Sequence, residues 1–301
     1  MTELKTGGTA ASPSDISEGG LRAVLRRAWH AMATQNMSII AAGIAFYAVW
    51  AFFPALVAAV VLGGLLLGQS EILHLLSFIK IELPKGVDSI VVEQLTAITQ
   101  HSRRFSSLAL IASLLVAIWS AMRGMRGLID AMNMVYQEDE KRTFLRREVL
   151  AFLLACLGGV FLSAAIILIV AVPIYRSRTD EEIAFVLFAP SRWPILILAI
   201  MTALSVLYRY APSRRKVKWR WVTWGATVSA TIWVLGSFLF SYYASQYNHL
   251  NPLLGSLGGI TIFLFWCYLT VLTILLGAQI NAELERQASA PNPANGAPRA
   301  R

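Results

Sequence analysis

The sequence predicts an all-α, polytopic membrane protein of about six transmembrane helices, with amphipathic helices on both faces. Three observations predict it. Hydrophobic residues make up 56 % of the chain and charged residues 14 %, with a mean hydropathy of +0.60; a soluble domain is about 25 % charged. Six apolar stretches approach the roughly 20 residues that cross hydrocarbon. The cations between those stretches fall unequally on the two sides, 19 against 7 of the 26 Lys and Arg.

Taken in order, residues 1–20 are small and polar, without the short apolar core of a cleavable signal; a disordered tail is expected there. A membrane domain is predicted over 21–286, and a second disordered tail over 287–301. Its first element is amphipathic. Leu21, Val24, Leu25, Ala28, Trp29 and Met32 share a helical face, with Arg22, Arg26, Arg27 and His30 largely off it. Such a helix lies on a membrane surface. The spans are predicted near 39–67, 106–122, 149–172, 183–207, 221–243 and 257–280. Pro54 interrupts the first, and Pro190 and Pro194 break the fourth, moving its start toward Trp193. The 69–105 segment carries Val87, Ile90, Val91, Leu95 and Ile98 at helical spacing. It reads as short helices capping the outer face, or as a lid.

Six spans put both termini on one side. Cytoplasmic loops retain Lys and Arg, so the cation-rich side, termini included, is expected in the cytoplasm of a bacterial inner membrane. The run "LYRYAPSRRKVKWRWVTWGA", Leu207 to Ala226, then reads as a topology signal and a contact for anionic headgroups, with Trp219, Trp221 and Trp224 as interfacial anchors. Membrane lipids are the expected partners, envelope proteins a further possibility, and nucleic acid is excluded.

Three blocks, "AAGIAFYAVWAFFPAL" (41–56), "SAMRGMRGLIDAMNMVYQEDEKRTFLRRE" (120–148) and "GSLGGITIFLFWCYLTVLTILLGAQINAELE" (255–285), resemble the YihY/BrkB family of bacterial inner-membrane proteins. The linking "LYRYAP" and "WGA" match too. The resemblance covers about residues 20–286. It implies six spans with both termini inside, and no defined reaction; an older label, ribonuclease BN, is regarded as mistaken. Two positions depart from the family pattern. Gln279 stands where Glu is usual, so position 279 carries no ionisable group, and Leu254 replaces the usual Tyr.

The candidate substrate or gating residues are Pro54, Arg123, Arg126, Asp130, Asn133, Arg209, Gln279 and Glu283. Pro54 leaves the carbonyl near Trp50 without its helical donor; the span is a kinked packing helix or a helix broken at a substrate path. Arg126 and Asp130 are one turn apart and can pair, with Asn133 beyond them. They form a helix-end network, or Arg123 and Arg126 bind an anion while Asp130 holds a guanidinium. Gln279 and Glu283 share a face. That face marks helix termination at the surface, or Glu283 pairs with Arg209 or Arg123 as a gate. Gly225/Ser229, Ala226/Ala230, Gly64/Gly68 and Gly255/Gly259 read as small-residue packing seams. The outer "SYYASQYNHLNPLLGSLGG" is a polar vestibule or an aromatic-belt turn. Cys156 and Cys267 read as small buried hydrophobes. Among Glu138, Asp139, Glu140 and Glu148 the interleaved Lys141, Arg142, Arg146 and Arg147 suggest a salt-bridged helix surface.

No catalytic, cofactor or metal site is predicted. The four histidines lack ligand spacing, and neither a phosphate loop nor a nucleophile elbow occurs. The sequence therefore predicts a non-enzyme that moves or organises a lipid or other envelope amphiphile. The alternative is a scaffold recruiting envelope partners through 69–105. A ribonuclease is disfavoured.

Overall fold

The computed structural model describes residues 18–66, 107–178, 182–214, 219–247 and 251–289. Both expected tails, up to residue 17 and from 290, and the 69–105 segment lie outside the described residues. So does Gly68. Within them all regular structure is helical: α1 (Glu18–Thr34), α2 (Met37–Leu66), α3 (Ser107–Tyr136), α4 (Phe144–Arg178), α5 (Glu182–Tyr210), α6 (Trp219–Tyr247) and α7 (Asn251–Ser289).

Long uninterrupted apolar sequence explains these lengths, because hydrocarbon leaves a backbone no partner but itself. Four helices carry windows long and apolar enough to cross a membrane: Met37–Ala58, Phe144–Ala165, Val222–Tyr243 and Gly258–Ala288. A shorter apolar stretch, Pro194–Tyr210, belongs to α5. In α3 the charges Arg123, Arg126 and Asp130 shorten the apolar part of a 30-residue helix.

Of the two readings of Pro54 the broken helix is corrected, and so is the break expected at Pro190 and Pro194. Helix α2 continues unbroken through Pro54, which is half-buried. Helix α5 continues through Pro190 and Pro194. These two prolines are four residues apart, so their missing N–H groups lie on one helical face, leaving the other faces hydrogen-bonded. Helix α7 is also longer than its predicted span. It runs through Gln279 and Glu283 to Ser289 instead of terminating there.

Neighbouring helices pair antiparallel, and small residues set the approach. A Cβ on Gly124 would meet Tyr47, and one on Gly127 would press on Ile44 at 3.1 Å, fixing α2 against α3. Ala45 and Val49 of α2 pack on Cys267 of α7, and the ring of Phe52 lies 4.6 Å from that of Phe263. Between α6 and α7 the register runs from Gly225 opposite Asn281, through Trp233 bonded to Thr270, to Phe240 beside Phe265. The Gly225/Ser229 seam is thus a real packing seam. The apolar core joins α2, α3, α4, α5, α6 and α7 around Met37, Ile129, Met132, Tyr208, Val222 and Leu275.

Outside that core large apolar side chains are exposed, including Trp50, Leu115, Leu153, Leu198, Phe238 and Leu239. So large an apolar exterior is the surface of a chain solvated by lipid. Cys156 belongs to it. It is exposed rather than buried, whereas Cys267 is buried as expected.

Candidate functional site

Polar chemistry gathers at one end of the bundle. The C-termini of α3, α5 and α7 and the N-termini of α4 and α6 meet there, and α1 lies against α7. Every terminus brings backbone groups without helical partners, and the sequence supplies side chains that satisfy them.

The turn between α3 and α4 is the first example. Gln137 takes a left-handed φ of 56° and ends α3. Asn133 reaches forward, its Nδ2 donating to Glu140 at 2.9 Å, while its Oδ1 accepts from the Ser213 N–H at 2.8 Å. The backbone N–H of Arg142 donates to Glu140 at 3.0 Å. Burial alone would raise the Glu140 carboxyl. The bonds from Arg142 and Asn133, with the Arg142 charge, outweigh it and hold Glu140 below the ordinary carboxylate range. The Arg142 guanidinium donates to the carbonyls of Tyr210, Ala211 and Pro212 at 2.7–3.0 Å. One side chain thereby closes the C-terminus of α5, where a cation also meets the negative end of the helix dipole. The salt bridges that the charge pattern suggested do form, Lys141 with Glu138 and Arg142 with Glu140, but residues 137–143 carry them on a turn and not on a helix surface.

The expected Arg126–Asp130 pair does not form. Arg126 pairs with Glu148 at 2.9 Å, and Asp130 receives Arg147 at 2.6 Å. Both bonds cross from α3 to the first turn of α4. The cross-helix partners win because α4 starts at Phe144, which presents Arg147 and Glu148 to α3. Asp130 does hold a guanidinium, that of Arg147. Arg123 is exposed and lies over the Trp119 ring at 5.3 Å.

Helix α7 carries the centre of the cluster. Glu283 is only 5 % exposed. Its Oε2 accepts from Arg27 of α1 at 2.9 Å, and its Oε1 accepts from Arg286, one turn on. Arg286 also donates to the Val135 carbonyl of α3 at 2.9 Å. Arg27 reaches Gln287 as well, at 2.7 Å. The expected pairing of Glu283 with Arg209 or Arg123 is therefore corrected. Arg209 instead lies over its neighbour's ring, Tyr210, at 5.8 Å. Gln279, one turn deeper than Glu283, is fully buried, and neither amide atom has a hydrogen-bond partner among the described residues.

Several site residues escaped sequence reasoning. Arg214, from the basic run read as a headgroup contact, turns inward. It donates to Glu285 at 2.7 Å and to the Tyr208 carbonyl at 3.1 Å, and lies 3.6 Å from the Tyr136 ring centroid. Tyr208 is fully buried; its hydroxyl donates to the Ile274 carbonyl at 2.8 Å and meets Ser229 Oγ at 2.8 Å. Ser229 in turn donates to the Thr273 carbonyl at 3.0 Å. Two hydroxyl protons serve three contacts, so one is always shared. Asn281 accepts from the Gly225 N–H at 2.7 Å and donates to the Val222 carbonyl at 3.3 Å. A Cβ on Gly277 would overlap Ser229 and Tyr208, and one on Gly225 would overlap Asn281. The four-residue spacing of Gly277 and Asn281 was a usable signal; the inward turn of Arg214 left none.

The site offers forks of arginine and buried carboxylates. Among the described residues no three His, Cys, Asp or Glu side chains could share a metal ion. At the opposite end Tyr242 and Tyr243 are exposed; side chains 244–250 lie outside the described residues.

Comparison with known proteins agrees with this architecture. The family model described as Virulence factor BrkB matches residues 28–301. The ribonuclease-like protein YfkH of Bacillus subtilis (strain 168) is 28 % identical over 256 residues, 83 % of this chain and 91 % of that protein. UPF0761 membrane protein IL2447 of Idiomarina loihiensis is 26 % identical, over 56 % of this chain and 59 % of its own. A UPF0761 membrane protein of Janthinobacterium sp. (strain Marseille) is 25 % identical, over 67 % of this chain and 45 % of its own. No solved structure matches the chain. With apolar spanning helices, a lipid-facing exterior and a family match over nearly its whole length, the chain is a membrane protein that belongs to the BrkB family.

Proposed function

We propose that this chain crosses a bacterial inner membrane six times, with its cation-rich end in the cytoplasm, and moves or organises a lipid or another envelope amphiphile. The reading assigns it no chemical reaction. The orientation rests on the unequal division of Lys and Arg and on antiparallel neighbours that gather alternate helix ends.

One observation carries the activity. The buried Glu283 is held by Arg27 of α1 and Arg286 of its own helix, one turn from Gln279, whose amide has no partner among the described residues. A buried amide without a partner among the described residues costs about 1–3 kcal/mol, a cost that a polar headgroup reaching it would offset. Arginine forks that grip carboxylates also fit phosphates. An anionic headgroup can therefore take over Arg27 or Arg286 and release α1 and α3 from α7. On this reading the ion pairs are an inner gate and Gln279 the first polar group behind it.

The test is lipid movement in proteoliposomes carrying headgroup-labelled phosphatidylglycerol, read by chemical quenching of the outer leaflet. The wild-type protein should exchange label between leaflets faster than protein-free vesicles. Glu283→Gln should change that rate several-fold. Exchange equal to protein-free vesicles, with no anionic lipid retained on the purified protein, would sink the proposal.

A further inference from the structure

Helix α1 presents three different faces. Val24 and Ala28 are buried against Ile280 and Leu284 of α7. A second stripe, Leu21, Leu25 and Trp29, follows steps of four residues and stays exposed, Trp29 by 73 %. A third, Arg22, Arg26 and His30, repeats that step one residue on, and is exposed as well. The single apolar face read from the sequence is thus divided, and only part of it is used by the fold. From Leu21 to Thr34 the helix carries cations and no acid.

Two further observations place this helix. The apolar window of α2 begins at Met37, three residues after α1 ends. The apolar window of α7 ends at Ala288, just past the residues that α1 packs on. Both place α1 beside the ends of apolar windows long enough to span. The junction turns sharply there. Asn36 adopts a left-handed φ of 52°, and its carbonyl accepts the first bonds of α2, from Ile39 and Ile40.

We propose that the exposed face of α1 is a docking surface for an anionic bilayer surface. Leu21, Leu25 and Trp29 enter the acyl boundary, and Arg22 and Arg26 contact headgroup phosphates. The apolar stripe with a basic stripe beside it is the surface that anionic lipid complements and water does not. The opposite side of the same helix holds Glu283 through Arg27, so seating α1 on lipid steadies the end of α7. The inference stands whether or not the bundle moves a lipid.

The test uses full-length protein with Cys156→Ser and Cys267→Ala, an environment-sensitive fluorophore at Leu25→Cys, and nanodiscs of phosphatidylcholine with increasing phosphatidylglycerol. The fluorophore should shift to the blue as phosphatidylglycerol rises and be quenched by acyl-chain nitroxides. Arg22→Ala with Arg26→Ala should lower the insertion equilibrium at a given phosphatidylglycerol content, by on the order of fivefold per arginine. Added salt should do the same. Should the label disturb the helix, Trp29→Phe provides a second reading: wild-type tryptophan quenching by brominated lipid should fall in that variant. A label quenched by aqueous iodide as strongly as one at Lys141→Cys overturns the proposal. So does protection from both iodide and lipid quenchers, which would mean a second protein copy covers the face. Insertion indifferent to phosphatidylglycerol overturns it too.

Discussion

Single side chains decide the stability of the polar end, and glycine does so most sharply. Gly277 sits where a Cβ would overlap Ser229, Tyr208 and the Gly225 carbonyl. Gly277→Ala should therefore cost about 1–3 kcal/mol or more, as overpacking does, and lower the thermal unfolding midpoint in detergent. Gly236, whose Cβ would meet nothing within 4 Å, is the control; Gly236→Ala should leave the midpoint unchanged or slightly raised. Tyr208→Phe should cost about 1 kcal/mol, the scale of one interhelical hydrogen bond in a membrane, because Ile274 then lacks its additional donor. Equal midpoints for Gly277→Ala and Gly236→Ala would show that the α6–α7 approach is looser than described. Gln279 behaves differently. Its amide has no bond to lose among the described residues, so Gln279→Leu should hold or raise stability while altering lipid exchange.

At the scale of elements, the α3–α4 turn and the end of α5 form one unit joined by Arg142, Asn133 and Glu140. Arg142→Ala should expose the carbonyls of 210–212 and speed hydrogen exchange across the last turn of α5, with α6 and α7 unaffected. Acid should do the same. The Glu140 carboxyl is held below its ordinary range, so its contribution is present above that range. It is lost as pH falls through it toward the depressed value. Exchange corrected for intrinsic rate should rise over that window in wild type and be flat in Glu140→Gln. Most helices were legible in the sequence, because hydrophobic runs of spanning length have few other solutions. Pro190 and Pro194 misled, since spacing says where donors are lost but not whether neighbouring turns hold the helix. The pairings of Arg126, Asp130 and Glu283 misled for a related reason. Spacing ranks partners along one helix, while the partners chosen lie on other helices. Arg214 reads as a topology cation like its neighbours until the fold turns it toward Glu285.

On the scale of the whole molecule, the bundle is apolar outside and inside, with its described charges concentrated at one end. Those charges do two kinds of work. Arg27, Arg142, Arg214 and Arg286 are turned into the protein and bind helices to one another. Arg22, Arg26 and Arg123 remain exposed at the same end. In the proposed orientation that end faces the cytoplasm. Lys141 reports it directly, being exposed in the α3–α4 turn. In the background Cys156→Ser with Cys267→Ala, Lys141→Cys should react with a membrane-impermeant maleimide in inverted membrane vesicles and not in intact cells. Labelling in intact cells, with protection in inverted vesicles, would contradict it.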